Sequence, residues 1–363
     1  MRGVNLGGWL VLEEWMTRDL FHNSGAWDQM SYDGQAQNNP QLRERLRNHW
    51  ATFITPDDIQ QISDAGLNAV RIPVGYWSVL GGGISGETYI AGALDYLNPV
   101  VEKCAQLGIS VVIVLHGLPG SQNGQDNSGQ SMGSTYQWFG NEYYKSKSVE
   151  AATRLVDLYG NGKYGGIVQS IALINEPKPR SDDDDIAFQK DFFRQAYDAI
   201  RANDPTMNVQ YADGWRFPTQ DSTWGGFANG QTSVSMDTHI YSLFHWETSG
   251  LGYNALLRWF CSRVDDVRSA DANIPTIVGE WTAAVSMNCN DGDCSYWPDD
   301  RYYQHLARSF EAQTYVYEQG SGWVYWNWKL DRDDAWSFST GIKQGWIPKD
   351  LSSKPHGTPC QFW

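Results

Sequence analysis

Short apolar runs alternate with longer amphipathic stretches along the whole chain. Residues 109–115 form a near-continuous β-branched run with Ile109, Val111, Val112, Ile113 and Val114, the pattern of a parallel strand buried on both faces. Comparable runs occur at 3–12, where strand passes into turn, and at 68–74, 169–175, 208–212, 235–241, 275–279 and 322–328. Most are separated by helix-like segments. Residues 56–65 predict a helix with Thr55 as its cap and Asp57 and Asp58 in its first turn. Residues 97–107 predict another, closed by Gly108. Strand alternating with helix implies a parallel sheet. Eight such units in an uninterrupted chain of 363 residues favour a closed (β/α)8 TIM barrel, a single domain over 1–363, rather than an open doubly wound sheet. No Gly-x-Gly-x-x-Gly follows the first strand, which weakens the open-sheet alternative further.

Charge narrows the partners. With 27 Lys and Arg against 42 Asp and Glu, the formal net charge is -15, so neither a phosphate backbone nor an anionic membrane surface is an expected partner. No apolar run approaches membrane-spanning length. The aromatic content is unusual: 18 Trp, 19 Tyr and 13 Phe. Some of this belongs to a large core. The excess suits ligands that have apolar faces and hydroxyl rims, because indole offers a flat face and one N–H donor.

Five cysteines are present, at 104, 261, 289, 294 and 360, without Cys-x-x-Cys pairs or zinc spacing. Cys104 reads as a buried free thiol, and Cys289 and Cys294 bracket a turn that a disulfide can close. The odd count fits two disulfides and one free thiol in a secreted protein, or five thiols inside a cell; acidic charge and polar loops favour the former. The first residues, Met1 to Gly8, are too short and Gly-rich for a signal peptide, which is compatible with a removed one. No N-x-S/T sequon supports glycosylation.

In a (β/α)8 barrel, catalytic groups sit where strands end and the following loops begin. The polar residues at those points are Arg71, His116, Asn175, Glu176, His239, Tyr241 and Glu280, with Trp328 at the end of the last run and Lys329 beside it. Singly, each has a plain structural explanation, such as an ion pair or a core histidine. Their joint occurrence at strand ends is harder to explain that way. Glu176 and Glu280 each follow a buried apolar strand. Two carboxylates facing across a cleft are the minimum equipment for glycoside hydrolysis, one to protonate the leaving oxygen and one to attack the anomeric carbon or activate water.

An ordered series of motifs resembles glycoside hydrolase family 5, and within it the fungal exo-β-1,3-glucanases. It runs nearly end to end: Arg2-Gly3-Val4-Asn5-Leu6-Gly7-Gly8-Trp9, Arg71-Ile72-Pro73-Val74-Gly75, His116-Gly117-Leu118-Pro119-Gly120, Asp126-Asn127-Ser128-Gly129, Asn175-Glu176-Pro177, Asp237-Thr238-His239-Ile240-Tyr241, Gly279-Glu280-Trp281 and Trp326 to Lys329. The resemblance implies a retaining enzyme with Glu176 as acid/base and Glu280 as nucleophile. Asn175 is then expected to bond the sugar 2-hydroxyl, and Arg71 and Tyr241 to surround the nucleophile, Arg71 keeping it ionised. His116 and His239 bind hydroxyls and orient the acids, Trp328 is the platform beneath the sugar, and Glu13 and Asp126 close the pocket on the terminal sugar. Phe244 is one half of an aromatic gate for the next sugar. The resemblance also implies a Cys261–Cys360 disulfide, a secreted or cell-wall location, a β-glucan or β-glucoside as the partner molecule, a monomer, and no metal or organic cofactor.

Three departures stand out. Gln125 replaces the Phe that forms the other half of the gate. The loop 287–300 lacks the Asn and Arg that contact the terminal sugar in relatives, although Arg301 is near enough in sequence to substitute. The segment 178–185 carries four consecutive Asp, which suit a helix start. The expected activity is release of glucose from β-1,3-glucan ends, with transglycosylation as a variant. The alternatives are a related β-glycosidase acting on β-1,6-glucan, aryl glucosides or diglycosides such as a rutinoside, and a catalytically silent carbohydrate-binding protein. The last should lack one acid, and both are present.

Overall fold

Eight strands pair side by side, all parallel, and the last closes on the first: β1 Arg2–Asn5, β2 Ala69–Gly75, β3 Ser110–Gly117, β4 Val168–Ala172, β5 Asn208–Ala212, β6 Val234–His239, β7 Thr276–Glu280 and β8 Gly322–Tyr325. This is a (β/α)8 barrel, seen in a computed structural model that describes residues 1–84, 86–285, 294, 295, 297, 299–357 and 360. All eight expected strands are present. Several are shorter than their apolar runs: β4 stops at Ala172 and β8 at Tyr325. Leu173 and Asn175 still bond across to Gln210 and Leu115 through their N–H groups, so the chain beyond β4 stays anchored while it turns outward.

The helices follow local chemistry. Helix Pro56–Asp64 opens with a capping box between Thr55 and Asp58. Helix Leu94–Leu107 ends at Gly108 in the left-handed region, φ 70°. The Asp run leads into helix Asp184–Asn203 as expected, but its carboxylates do other work than capping. The Asp185 N–H donates to Ser181 Oγ, Asp185 accepts from Arg180, and Asp182 pairs with Arg216. Between β5 and β6 the connection 213–233 contains no helix; it is a run of turns that carries Trp215 onto the barrel rim.

Tryptophan divides between two jobs. Trp9, Trp77, Trp138, Trp224, Trp281, Trp323 and Trp328 are core. Trp281 makes edge contacts with Tyr317, Trp323 and Tyr325. Cys261 and Cys360 form a disulfide and Cys104 is a buried thiol. Cys289, and with it the Cys289–Cys294 pairing, lies outside the described residues, as does most of the loop 287–300. Among the described residues no helix is long and apolar enough to cross a membrane.

Register decides what meets at the top of the barrel. Asn5 is the partner of Arg71 across β1 and β2, and His239 is the partner of Glu280 across β6 and β7 after a one-residue shift at Thr238. Polar residues from opposite ends of the sequence are thereby placed at one level of one rim.

Candidate active site

Arg71 occupies the centre of that level. It is buried, and its guanidinium donates four hydrogen bonds: Nη1 to Asn5 Oδ1 and Glu280 Oε1, both 2.9 Å, and Nη2 to Asn175 Oδ1 at 2.7 Å and Asp237 Oδ2 at 3.0 Å. A planar fork with fixed donors is suited to such a hub.

Glu280 ends β7. Its second oxygen accepts from the Tyr241 hydroxyl at 3.0 Å. Burial pushes its carboxyl up to about 7, against the pull of the His239 and Arg71 cations. Arg71 therefore does favour the ionised form, as expected, but desolvation outweighs it.

Glu176 lies just beyond β4 with φ 44°. Left-handed backbone is uncommon for a residue with a side chain, and here it aims the carboxyl back over the barrel. Oε1 lies 2.8 Å from His239 Nδ1, and Oε2 accepts from Asn127 Nδ2 at 2.8 Å. His239 thus stands between the two glutamates, with Nδ1 3.5 Å from Glu280 Oε2 and Nε2 3.6 Å from Asp237. Burial lowers the affinity of the imidazole for a proton, but the carboxylates of Glu280, Asp237 and Glu176 reverse this and hold it well above its ordinary value. One oxygen of Glu176, one of Glu280 and a His239 nitrogen all lie within 4.8 Å of one another. Such a trio has metal-ligand spacing, and ligation of a cation there would require His239 to give up its proton.

Above this layer opens a cavity of about 560 Å³, within the range of small-molecule sites. Glu13, His116, Asp126, Glu176, Tyr241, Phe244 and Glu280 all line it. Arg71, Asn175 and His239 are not among its lining residues: Arg71 bonds Glu280 and Asn175, and His239 bonds Glu176 and lines the adjoining cavity. Glu13 is buried, accepts from Trp15 Nε1 at 2.9 Å, and has its other oxygen without a partner. Burial, then the neighbouring Asp126 charge, raises its carboxyl well above the usual range; burial raises Asp126 too. Burial, with Arg71 and His239 close by, keeps His116 neutral. Its Nδ1 has no partner, and neither has Asn175 Nδ2. Buried polar atoms left unsatisfied beside a cavity are the groups a hydroxyl-rich ligand completes.

Trp328 is not the platform of this cavity. It is buried, and its Nε1 donates to Asp58 at 3.0 Å, away from the opening. Because β8 ends at Tyr325, the chain turns before residue 328 and strand alternation no longer sets its direction. Trp326 does line the cavity: its indole lies 5.5 Å from His116 at an interplanar angle of 7°. A Cβ at residue 7 would fall 2.5 Å from that indole, so glycine in the first motif leaves room for the ring. Trp15, Trp215 and Trp336 complete the aromatic wall, and Gln125 lies at the rim, exposed. The sequence gives no local signal for Trp15, Trp215 and Trp336. Asn127 and Asp237 fall inside motifs of the family resemblance, which implies a role for neither.

Residues 32–332 match the model of cellulase, glycosyl hydrolase family 5. A probable glucan 1,3-beta-glucosidase A of Aspergillus fumigatus is 33% identical over 392 residues, spanning 99% of this chain and 90% of that protein. A glucan 1,3-beta-glucosidase of Blumeria graminis is 32% identical over 402 residues, with 99% and 89% covered. Among solved structures, the rutinosidase from Aspergillus niger superposes with a TM-score of 0.81 at 21% identity, covering 95% of this chain and 97% of that one. Endoglucanase Cel5A of Thermotoga maritima does so at 0.55 and 15%, with 97% and 96% covered.

Proposed function

This chain belongs to glycosyl hydrolase family 5 and is a glycoside hydrolase, and we propose that it is a retaining exo-β-1,3-glucanase, one catalytic domain acting as a monomer on β-1,3-glucan ends. One observation carries the stereochemical part. The nearest carboxylate oxygens of Glu176 and Glu280 are within 4.8 Å. Retaining pairs lie about 5–5.5 Å apart, whereas inverting pairs need about 6.5–9.5 Å to admit a water.

In the first step Glu280 attacks the anomeric carbon while Glu176 gives its proton to the departing glycosidic oxygen. The product is a glycosyl ester on Glu280 and a free leaving group. In the second, Glu176 takes a proton from water, the water oxygen attacks the same carbon, and Glu280 is released as a carboxylate. A sugar hydroxyl in place of water gives transglycosylation. Arg71 and Tyr241 stabilise Glu280 when ionised. His239 orients Glu176, Asn175 Nδ2 donates to the 2-hydroxyl, and the sugar rests on Trp326. Glu13 and Asp126 accept from the terminal sugar, which supports exo action. The Cys261–Cys360 disulfide and the fungal relatives support a secreted or cell-wall location.

A second reading, a β-glycosidase with an altered leaving-group site for aryl glucosides or diglycosides, is favoured by exposed Gln125 at the rim, where an aromatic face would otherwise stand. The test of the carboxylate roles is Glu280→Gln. Loss of turnover in a folded protein supports them, and wild-type turnover contradicts them.

A further inference from the structure

Where β4, β5 and β6 end there is a niche of about 10 Å³, walled by Glu176, Ala212, Asp213, Trp215, Asp237 and His239. That is room for one water, with carboxylates and an imidazole as its partners. A separate distance points to the same place. His239 Nε2 lies 3.6 Å from Asp237 Oδ2, too far for a direct bond and a span that a bridging water fills. We infer that Asp213 is a positioning residue for the acid/base: through one water in this niche its carboxylate holds the Nε2–H of His239, whose Nδ1 lies on Glu176. The inference rests on the assignment of Glu176 as proton donor.

Asp213 is built into its place. It follows β5, and Gly214 and Trp215 turn back with φ 60° and 65°, so that the Trp215 N–H donates to Asp213 Oδ1 at 3.0 Å. Asp213 Oδ2 accepts from Thr238 Oγ1, on β6, at 2.6 Å. A carboxylate oxygen has two lone pairs, so both can still accept from a water. The charged groups around Asp213 are Glu176 beyond β4, Asp237 and His239 on β6 and, across the adjoining cavity, His245, Arg263 and Asp266. Arg216, on its own loop, is taken by Asp182. His239 also faces Glu280. Burial pushes the Asp213 carboxyl up to about 6, against the pull of the Thr238 bond and the His239 cation. It is therefore ionised from neutral pH upward. His239 and Glu176 are bonded to each other and titrate as a pair. A carboxylate beside the pair favours its protonated forms. Asp213 thereby keeps the proton that Glu176 must donate bound to higher pH, while His239 holds the Glu176 carboxyl in direction.

Asp213→Asn tests this, because it removes the charge and keeps the bonds. The amide oxygen accepts from the Trp215 N–H, and the amide nitrogen donates to Thr238 Oγ1. Two quantities are compared with wild type: the titration of the His239 imidazole followed by NMR, and the basic limb of the kcat/KM profile for phenyl β-glucoside. Both are expected to move to lower pH by about one unit. An unmoved histidine titration overturns the inference whatever happens to turnover, and so does a basic limb that stays in place while the histidine moves. A fall in kcat with unchanged pH dependence marks Asp213 as merely structural and overturns it as well. Asp213→Ser, which keeps a hydroxyl for the Trp215 N–H, repeats both measurements where Asp213→Asn does not fold. Glu176→Gln separates this inference from the proposed function. Wild-type turnover in that variant refutes the acid/base reading, while the histidine titration still decides whether Asp213 holds His239.

Discussion

The carboxylate of Asp237 occupies the space that a side chain at residue 279 would need: a Cβ there would lie 1.9 Å from Asp237 Oδ1. From that position Asp237 bonds Arg71 and faces His239 Nε2. It anchors both cations that bracket the glutamates, Arg71 on Glu280 and His239 on Glu176. The glycine before Glu280 is therefore part of the site's construction. Gly279→Ala is expected to displace Asp237, and a shift of about 1 Å in such a frame costs about 100-fold in kcat. Overpacking should cost about 1–3 kcal/mol of stability besides. A melting curve and a kcat on an aryl glucoside check this; wild-type kcat in the alanine variant would contradict it.

Tyr241→Phe removes a hydrogen bond that favours ionised Glu280. The carboxyl, already about 7 from burial, should rise further, because losing a donor to the charged form disfavours that form. A bond to a charged group is worth about 1.5–3 kcal/mol, or about one to two pKa units. Glu280 must be ionised to attack, so activity should be lost below a higher pH than in wild type. The acid limb of the kcat/KM profile is predicted to move to higher pH by about one unit. A limb that stays in place or moves down would exclude this role for Tyr241.

Trp326 and Trp328 should separate cleanly. Trp326→Ala removes the face beneath the sugar and is expected to lower kcat/KM by up to about tenfold. Trp328→Phe leaves Asp58 without the indole donor while Lys329 remains bonded to it. It should cost about 1–3 kcal/mol of stability with kcat near wild type. The reverse pattern would return Trp328 to the site.

The disulfide joins residues 99 apart in sequence. Closing a loop of that length constrains the unfolded chain, and native disulfides typically contribute about 2–4 kcal/mol. The Cys261→Ser/Cys360→Ser double variant should lose about that much in urea unfolding. An unchanged midpoint would show that the tail is held by packing alone.

The barrel was legible because its strands are apolar runs with period-independent burial, and because eight of them alternate with helices. Glu176, Glu280, Arg71 and His239 were legible because strand ends in such a barrel face one rim. The Trp328 expectation failed for a local reason: the apolar run continues past the point where β8 stops pairing, and no feature of that run marks the stop. Asp237 was hidden for a different one. Its partners Arg71 and Gly279 are on other strands, and only the register brings them together.

The central claim is that Glu176 and Glu280 release terminal glucose with retention. Reducing-end-labelled laminaripentaose, followed at early times by mass and by NMR of the new anomer, tests it most directly. Stepwise loss of single units, released as β-glucose, is the predicted result. Internal cleavage would contradict closure of the pocket by Glu13 and Asp126, and initial release of α-glucose would contradict the double displacement.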